Sequence, residues 1–176
     1  SKAVTNVQST GEAVVCFGDS LTHGEGALPG EDYPSRLAER LGRAVINAGR
    51  NGDTAAEGLS RIDDDVLRHQ PLLVVVEFGG NDAMRGVPAD AFEETLRAIV
   101  ERIQDAGAMV VLTGIPAAPF LAQGYEAVYH RVAKHEGGRL MDRHGTAAML
   151  RFRPLAGVYG EGFESLGLVS HGIGLL

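Results

Sequence analysis

The chain has 176 residues, of which 44% are hydrophobic and 22% charged, and this composition is typical of one compact domain with a packed core. The formal net charge of −7 argues against a nucleic acid or an anionic membrane surface as a partner, because both attract basic surfaces. A single cysteine, Cys16, excludes an internal disulfide, and no apolar stretch approaches the roughly 18 residues of a membrane-spanning helix. These features suit a cytoplasmic protein and the mature form of an exported one equally well.

Predicted strands and helices alternate along the first half of the chain. Residues 13–17 form a short apolar run that predicts a buried strand and places Cys16 in the core. Apolar residues one helical turn apart predict a helix over 33–42, and a short strand is predicted at 44–47. The segment Thr54-Ala55-Ala56-Glu57 has the form of a capping box, which predicts a helix that continues to Val66.

The second half continues the alternation. Residues 72–78 give the strongest strand signal in the chain, and we predict that this strand is central in the sheet. Asp90 and Glu93 predict the capped start of a helix, whose apolar face extends to Ile103. Three further elements are predicted, namely a strand at 109–112, a helix at 124–134 and a short strand at 139–141.

This order of elements predicts a three-layer α/β/α fold with a mainly parallel sheet and helices on both faces. The chain shows no linker or repeat, so residues 1–176 are expected to form a single domain. Ligands of such sheets bind at the carboxyl ends of the strands. The loops 18–23, 47–53 and 79–82 each follow a predicted strand, and we expect them to converge on one edge.

The side chains and amides of these three loops suit acyl transfer. Ser20 lies where a strand ends, and a serine hydroxyl becomes a nucleophile when a neighbouring base removes its proton. The oxyanion that forms on attack needs hydrogen-bond donors. Gly52 has no Cβ to shield its backbone N–H, Asn81 has two uncharged amide protons, and the Ser20 N–H is a third donor.

The order and spacing of three segments closely resemble the first three sequence blocks of the SGNH hydrolase superfamily, also called the GDSL esterases/lipases. The segments are Gly18-Asp19-Ser20-Leu21, residues 47–54 with Gly52-Asp53-Thr54, and Gly79-Gly80-Asn81-Asp82. The resemblance spans about residues 14–116. In character the chain is similar to the small bacterial thioesterase/lysophospholipase and arylesterase enzymes. The resemblance implies a flavodoxin-like fold with about five parallel strands.

The resemblance also implies a role for each matching residue. Ser20 corresponds to the nucleophile, and the amides of Ser20 and Gly52 with the side chain of Asn81 correspond to the oxyanion hole. Asp19 and Asp82 match family positions that hold the loops in place. The reaction implied is two-step acyl transfer through an acyl-serine, without a metal or another cofactor.

The general base is where the chain departs from the family, which has a late Asp-x-x-His motif. Alignment of Val158-Tyr159 with a similar pair in thioesterase-type relatives puts His171 at the base position and Leu168 at the acid position. A second alignment matches residues 170–174 with the family's Ser-Asp-Gly-Ile-His run and leaves no base. Only the first alignment keeps a base, and we therefore predict that His171 is the base.

Several features of the C-terminal region stay open. Glu161, Glu164 or a backbone carbonyl could replace the missing acid as the partner of the histidine. His144 is a weaker candidate for the base than His171, and His23, three residues after Ser20, could line the entrance of the site. The sequence from about residue 145 is Gly-rich and atypical of the family.

We predict a serine hydrolase that cleaves short to medium acyl or aryl esters, or thioesters. Two alternatives remain, a carbohydrate O-deacetylase of the same superfamily and a non-catalytic α/β binding module that has lost its His/Asp pair. The run Asp63-Asp64-Asp65 is predicted to be a solvated helix face rather than a metal site, because consecutive helical residues point in different directions. The oligomeric state is not predicted.

Overall fold

A computed structural model describes residues 5–114 and 124–136 of the chain, and the backbone of residues 139–141. The strands are β1 (Ala13–Gly18), β2 (Val45–Gly49), β3 (Pro71–Glu77), β4 (Met109–Thr113) and β5 (Arg139–Met141). The α-helices are α1 (Ser20–His23), α2 (Tyr33–Leu41), α3 (Ala55–Asp65), α4 (Gly80–Met84), α5 (Ala89–Asp105) and α6 (Tyr125–Glu136). A 3₁₀ turn, Leu67–His69, follows α3.

The five strands form one parallel sheet in the order β2-β1-β3-β4-β5. β3 is its central strand, and all seven of its residues are buried. Parallel neighbours require crossover connections, which is why helices lie between successive strands. The predicted α/β class, the parallel sheet and the central position of this strand are confirmed.

Side chains of β1 alternate between two cores, one on each face of the sheet. Val15 and Phe17 belong to the larger core, to which α3, α5 and α6 contribute. Val14 and Cys16 belong to the smaller core, against which Leu37 of α2 packs. Burial raises the pKa of the Cys16 thiol to about 12, which keeps it protonated and inert, as predicted for a core cysteine.

The start of α5 differs from the prediction. Pro88 occupies the N-cap position and no side chain caps the helix, whereas a capped start at Asp90 and Glu93 was expected. The Asp90 carboxylate instead accepts a hydrogen bond from the next backbone N–H. Glu93 pairs with Arg97 one turn later and with Arg131 of α6. Contacts with another helix therefore determine the position of this acidic side chain.

Two loops contain short helices that the sequence did not predict. One residue separates α1 from β1, and two residues separate α4 from β3. Helices of four and five residues are too short for an apolar period to reveal them. Strand β2 extends to Gly49, two residues past the predicted end, because its backbone pairs with β1 as far as Gly18.

The described ranges include no helix that is both long and apolar enough to cross a membrane. Residues 5–114 and 124–136 also contain no group of three potential metal ligands. In the acidic run, Asp63 binds Arg102 and Asp65 binds Arg61, so two of its three carboxylates form ion pairs within the protein.

Candidate active site

The carboxyl ends of β1, β2 and β3 are level at one edge of the sheet. Gly18, the last residue of β1, pairs with the last residue of β2 and with the last residue of β3. The three following segments carry Ser20, Gly52 and Asn81. The side chain of Asn81 contacts the residue before Ser20 and the residue after Gly52, so these segments meet as expected.

Ser20 is the first residue of α1 and is half-buried. Asp19 caps this turn, because its Oδ1 accepts a hydrogen bond from the Leu21 N–H at 3.0 Å. The turn ends at Gly24, which has φ +97° and donates its N–H to the Ser20 carbonyl at 3.0 Å. The N–H of a first helical residue has no acceptor within its helix. The helix therefore leaves the Ser20 N–H unused beside the Ser20 hydroxyl.

Gly18 permits a close approach of α1 to the sheet. A Cβ at this position would lie 2.2 Å from Thr22 Oγ1 and 2.3 Å from the Glu77 carbonyl oxygen. Thr22 is fully buried and its hydroxyl is 3.1 Å from Glu77 Oε2 and 2.9 Å from the Tyr33 hydroxyl. A larger residue at Gly18 would displace α1, and Ser20 with it.

The segment around Gly52 is held from both sides. Gly52 has φ +82°, in the region that favours glycine, and its carbonyl accepts a hydrogen bond from Arg85 Nη2 at 2.7 Å. Arg85 Nη1 also binds Glu57 at 3.2 Å. Glu57 forms the predicted capping box with Thr54, which is confirmed. Arg85 thus links the Gly52 turn and the start of α3 to the end of α4.

Both side-chain amide protons of Asn81 form hydrogen bonds in this arrangement. Its Nδ2 donates to the Asp53 carbonyl at 2.9 Å and to Asp19 Oδ2 at 3.2 Å. An amide nitrogen has two protons, so both are taken. An oxyanion beside Ser20 would compete with Asp19 for the proton in the longer hydrogen bond.

The two motif aspartates are buried and bind backbone or amide protons. Asp82 accepts the Ala55 N–H at the start of α3, at 3.2 Å and 3.0 Å from its two oxygens. Asp19 accepts from Leu21 and Asn81, as described above. Burial raises the pKa of both carboxyls above the ordinary 3.8, and the nearby charge of Asp53 raises that of Asp19 further.

The raised pKa of Asp19 predicts a pH-dependent cost to stability. A carboxyl whose pKa is higher when folded stabilises the fold fully below its unfolded pKa, and that contribution is lost as pH rises through the folded pKa. Asp19→Asn keeps an oxygen for the Leu21 N–H and carries no charge. We therefore expect the free energy of unfolding of this variant to increase relative to that of the unaltered protein as pH rises above 3.8. Urea denaturation over a pH series measures this gain.

The matched control is Asp90→Asn, which makes the same substitution at an exposed position. An Asp19→Asn profile parallel to that of the unaltered protein would show that burial of this carboxyl has no such cost.

Sequence reasoning missed two residues near this edge, Arg61 and Glu77. Both are buried, at 8% and 5% exposure, although charged side chains are usually exposed. Glu77 had a signal, since a carboxylate that ends an apolar strand is unusual. Arg61 had none, because an arginine at this helical position also suits a solvated face.

The structure describes four of the six histidines. His23 is exposed on α1, three residues after Ser20, while His130 and His135 are exposed on α6 and His69 is half-buried. His144 and the predicted base His171 lie outside the described residues. The same holds for the carboxylates of Glu161 and Glu164, and for Leu168.

An α/β/α fold whose parallel sheet carries Ser20, Gly52 and Asn81 at its carboxyl edge defines the class of SGNH hydrolases. The chain belongs to the GDSL-like lipase/acylhydrolase family, whose family model matches residues 16–162. The predicted family is therefore confirmed, and with it the class of carboxylic ester hydrolase.

Individual relatives agree with this assignment. The chain is 33% identical over 139 residues to an arylesterase from Vibrio mimicus, a match that covers 74% of the chain and 70% of the relative. It is 33% identical over 129 residues to thioesterase 1/protease 1/lysophospholipase L1 from Escherichia coli K12, covering 70% of the chain and 62% of that relative, less than two thirds of its length. The structure of AlinE4, an SGNH-hydrolase family esterase, matches with a TM-score of 0.66 and 35% identity over 75% of this chain and 77% of that one.

Proposed function

We propose that this protein hydrolyses short to medium acyl or aryl esters, or thioesters, through an acyl-enzyme on Ser20. The observation that carries the proposal is the meeting of three segments around Asn81, which contacts the neighbours of both Ser20 and Gly52. The names of the two relatives, an arylesterase and a thioesterase/lysophospholipase, support this range of substrates.

The proposed reaction has two steps. The Ser20 Oγ attacks the carbonyl carbon while a base takes its proton, and the carbonyl oxygen becomes an oxyanion. Collapse of this intermediate expels the alcohol or thiol, which receives the proton, and leaves an acyl-serine. Water then attacks the acyl-serine by the same route, releases the acid and restores the Ser20 hydroxyl.

Three donors are proposed for the oxyanion, the N–H groups of Ser20 and Gly52 and the side-chain amide of Asn81. A donor of this kind contributes about 3 kcal/mol to transition-state stabilisation in a dry site. The Asp53 carbonyl keeps the Asn81 amide in place at 2.9 Å. When the oxyanion forms, Asn81 donates to it the proton that it otherwise donates to Asp19 in the longer hydrogen bond. Asp19 and Asp82 serve as supports for the loops rather than as reacting groups.

His171 is proposed as the base, and the acid position of the family's motif holds Leu168. The leucine side chain has no polar atom, so it cannot accept a hydrogen bond from a histidine N–H. The imidazole of a Ser-His pair then needs another acceptor, for which Glu161, Glu164 or a backbone carbonyl is proposed.

Labelling with a fluorophosphonate tests the nucleophile, and a substrate panel tests the range. We expect one equivalent of label, located on the peptide that contains Ser20, and turnover of p-nitrophenyl esters or acyl-CoA. Turnover of acetylated sugars alone would favour a deacetylase instead. Absence both of label on Ser20 and of turnover would favour the non-catalytic binding module.

A further inference from the structure

We propose that Arg61 is a positioning residue that holds the nucleophile strand and the oxyanion segment in register, an inference that rests on the function proposed for Ser20. Arg61 lies on α3, donates hydrogen bonds to residues beside the proposed reacting groups, and was not among the predicted site residues. Its guanidinium joins three segments of the carboxyl edge at once.

Two hydrogen bonds of Arg61 end within two residues of a proposed catalytic group. Nη2 donates to the Gly18 carbonyl at 3.0 Å, two residues before Ser20. Nε donates to Asp53 Oδ2 at 2.7 Å, one residue after Gly52. The carbonyl of the same Asp53 accepts the Asn81 amide, so one arginine is linked to the nucleophile and to both other oxyanion donors.

Two further hydrogen bonds and one aromatic ring complete the environment of this guanidinium. Nη1 donates to the Ala48 carbonyl in β2 at 2.9 Å and to Asp65 Oδ2 at 2.9 Å. The ring of Phe17 lies beneath, with its centroid 4.8 Å from Cζ. Two carboxylates, those of Asp53 and Asp65, pair with the buried charge, and four hydrogen bonds extend from one planar group.

Lysine cannot reproduce this arrangement. An ammonium group is a compact point charge, whereas the guanidinium directs donors along fixed lines to β1, β2 and Asp53. Arg61→Lys therefore keeps the charge balance but frees part of the edge to move. Small displacements of reacting groups lower turnover much more than they lower ground-state binding.

We expect Arg61→Lys to lower kcat about 10- to 100-fold with a KM within about twofold of the unaltered enzyme, and to slow fluorophosphonate labelling of Ser20 in parallel. Both rates are measured at a temperature at which circular dichroism shows the variant folded. The matched control is Arg102→Lys, an exposed helical arginine paired with Asp63, which should leave both rates unchanged.

A charge-neutral double variant separates positioning from folding. Arg61→Met alone would leave Asp53 buried without its partner and is expected to unfold readily. Arg61→Met with Asp53→Asn removes the buried ion pair and leaves Asp65 paired with Arg50, and we expect it to fold while kcat stays at least about 10-fold low.

The inference is overturned if Arg61→Lys or the double variant turns over substrate and takes up label at the unaltered rate. That result is distinct from failure of the proposed function, in which the unaltered protein itself takes up no label on Ser20.

Discussion

Replacement of Ser20 by alanine is expected to lower kcat for ester hydrolysis by about 10⁴-fold or more. A side chain without a nucleophile leaves only the contributions of binding and of the oxyanion donors. The fold should be retained, because Asp19 rather than Ser20 caps α1 and the Ser20 carbonyl still accepts from Gly24. Steady-state kinetics and the loss of fluorophosphonate labelling measure the effect.

Ser60→Ala is the matched control for this prediction. Ser60 is exposed on α3, and its hydroxyl donates to the Glu57 carbonyl, one turn earlier. We expect its variant to retain the rate of the unaltered enzyme. Ser20 is excluded as the nucleophile if the folded Ser20→Ala variant still hydrolyses ester at the rate of the unaltered enzyme.

Replacement of His171 by alanine is expected to lower kcat by a similar factor, about 10⁴-fold or more, because the Ser20 hydroxyl then loses its proposed base. The loss should be largest near neutral pH, where hydroxide cannot replace the imidazole. Rates at several pH values measure it, with fluorophosphonate labelling as a second readout that should slow in step.

Variants of other histidines test this assignment. His23→Ala and His144→Ala should retain activity, and a loss confined to either variant would transfer the role of base to that residue.

Leu168→Asp distinguishes the two alignments, because it creates the family's spacing of acid and base only if His171 is the base. We expect this variant to raise kcat, and an unchanged rate would favour the second alignment.

Local sequence determined most of the secondary structure. The apolar runs of β1 and β3 are long enough to identify buried strands, and the Thr54–Glu57 pair identifies the start of α3 because a capping box acts within four residues. The order of strands and loops then placed Ser20, Gly52 and Asn81 at one edge. A parallel sheet requires that placement whatever its side chains are.

Tertiary structure decided how these groups are held. The hydrogen bond from Arg61 to Gly18 joins residues 43 apart, and that from Asn81 to Asp19 joins residues 62 apart. The position of the Glu93 side chain likewise depends on Arg131, at a separation of 38 residues. Propensity, periodicity and capping act over a few neighbours in the chain, so they contain no information about such partners. The sequence alone thus determined the family, the fold class and the candidate nucleophile, and only the packing of α3 against β1 and β2 turned Arg61 towards the site.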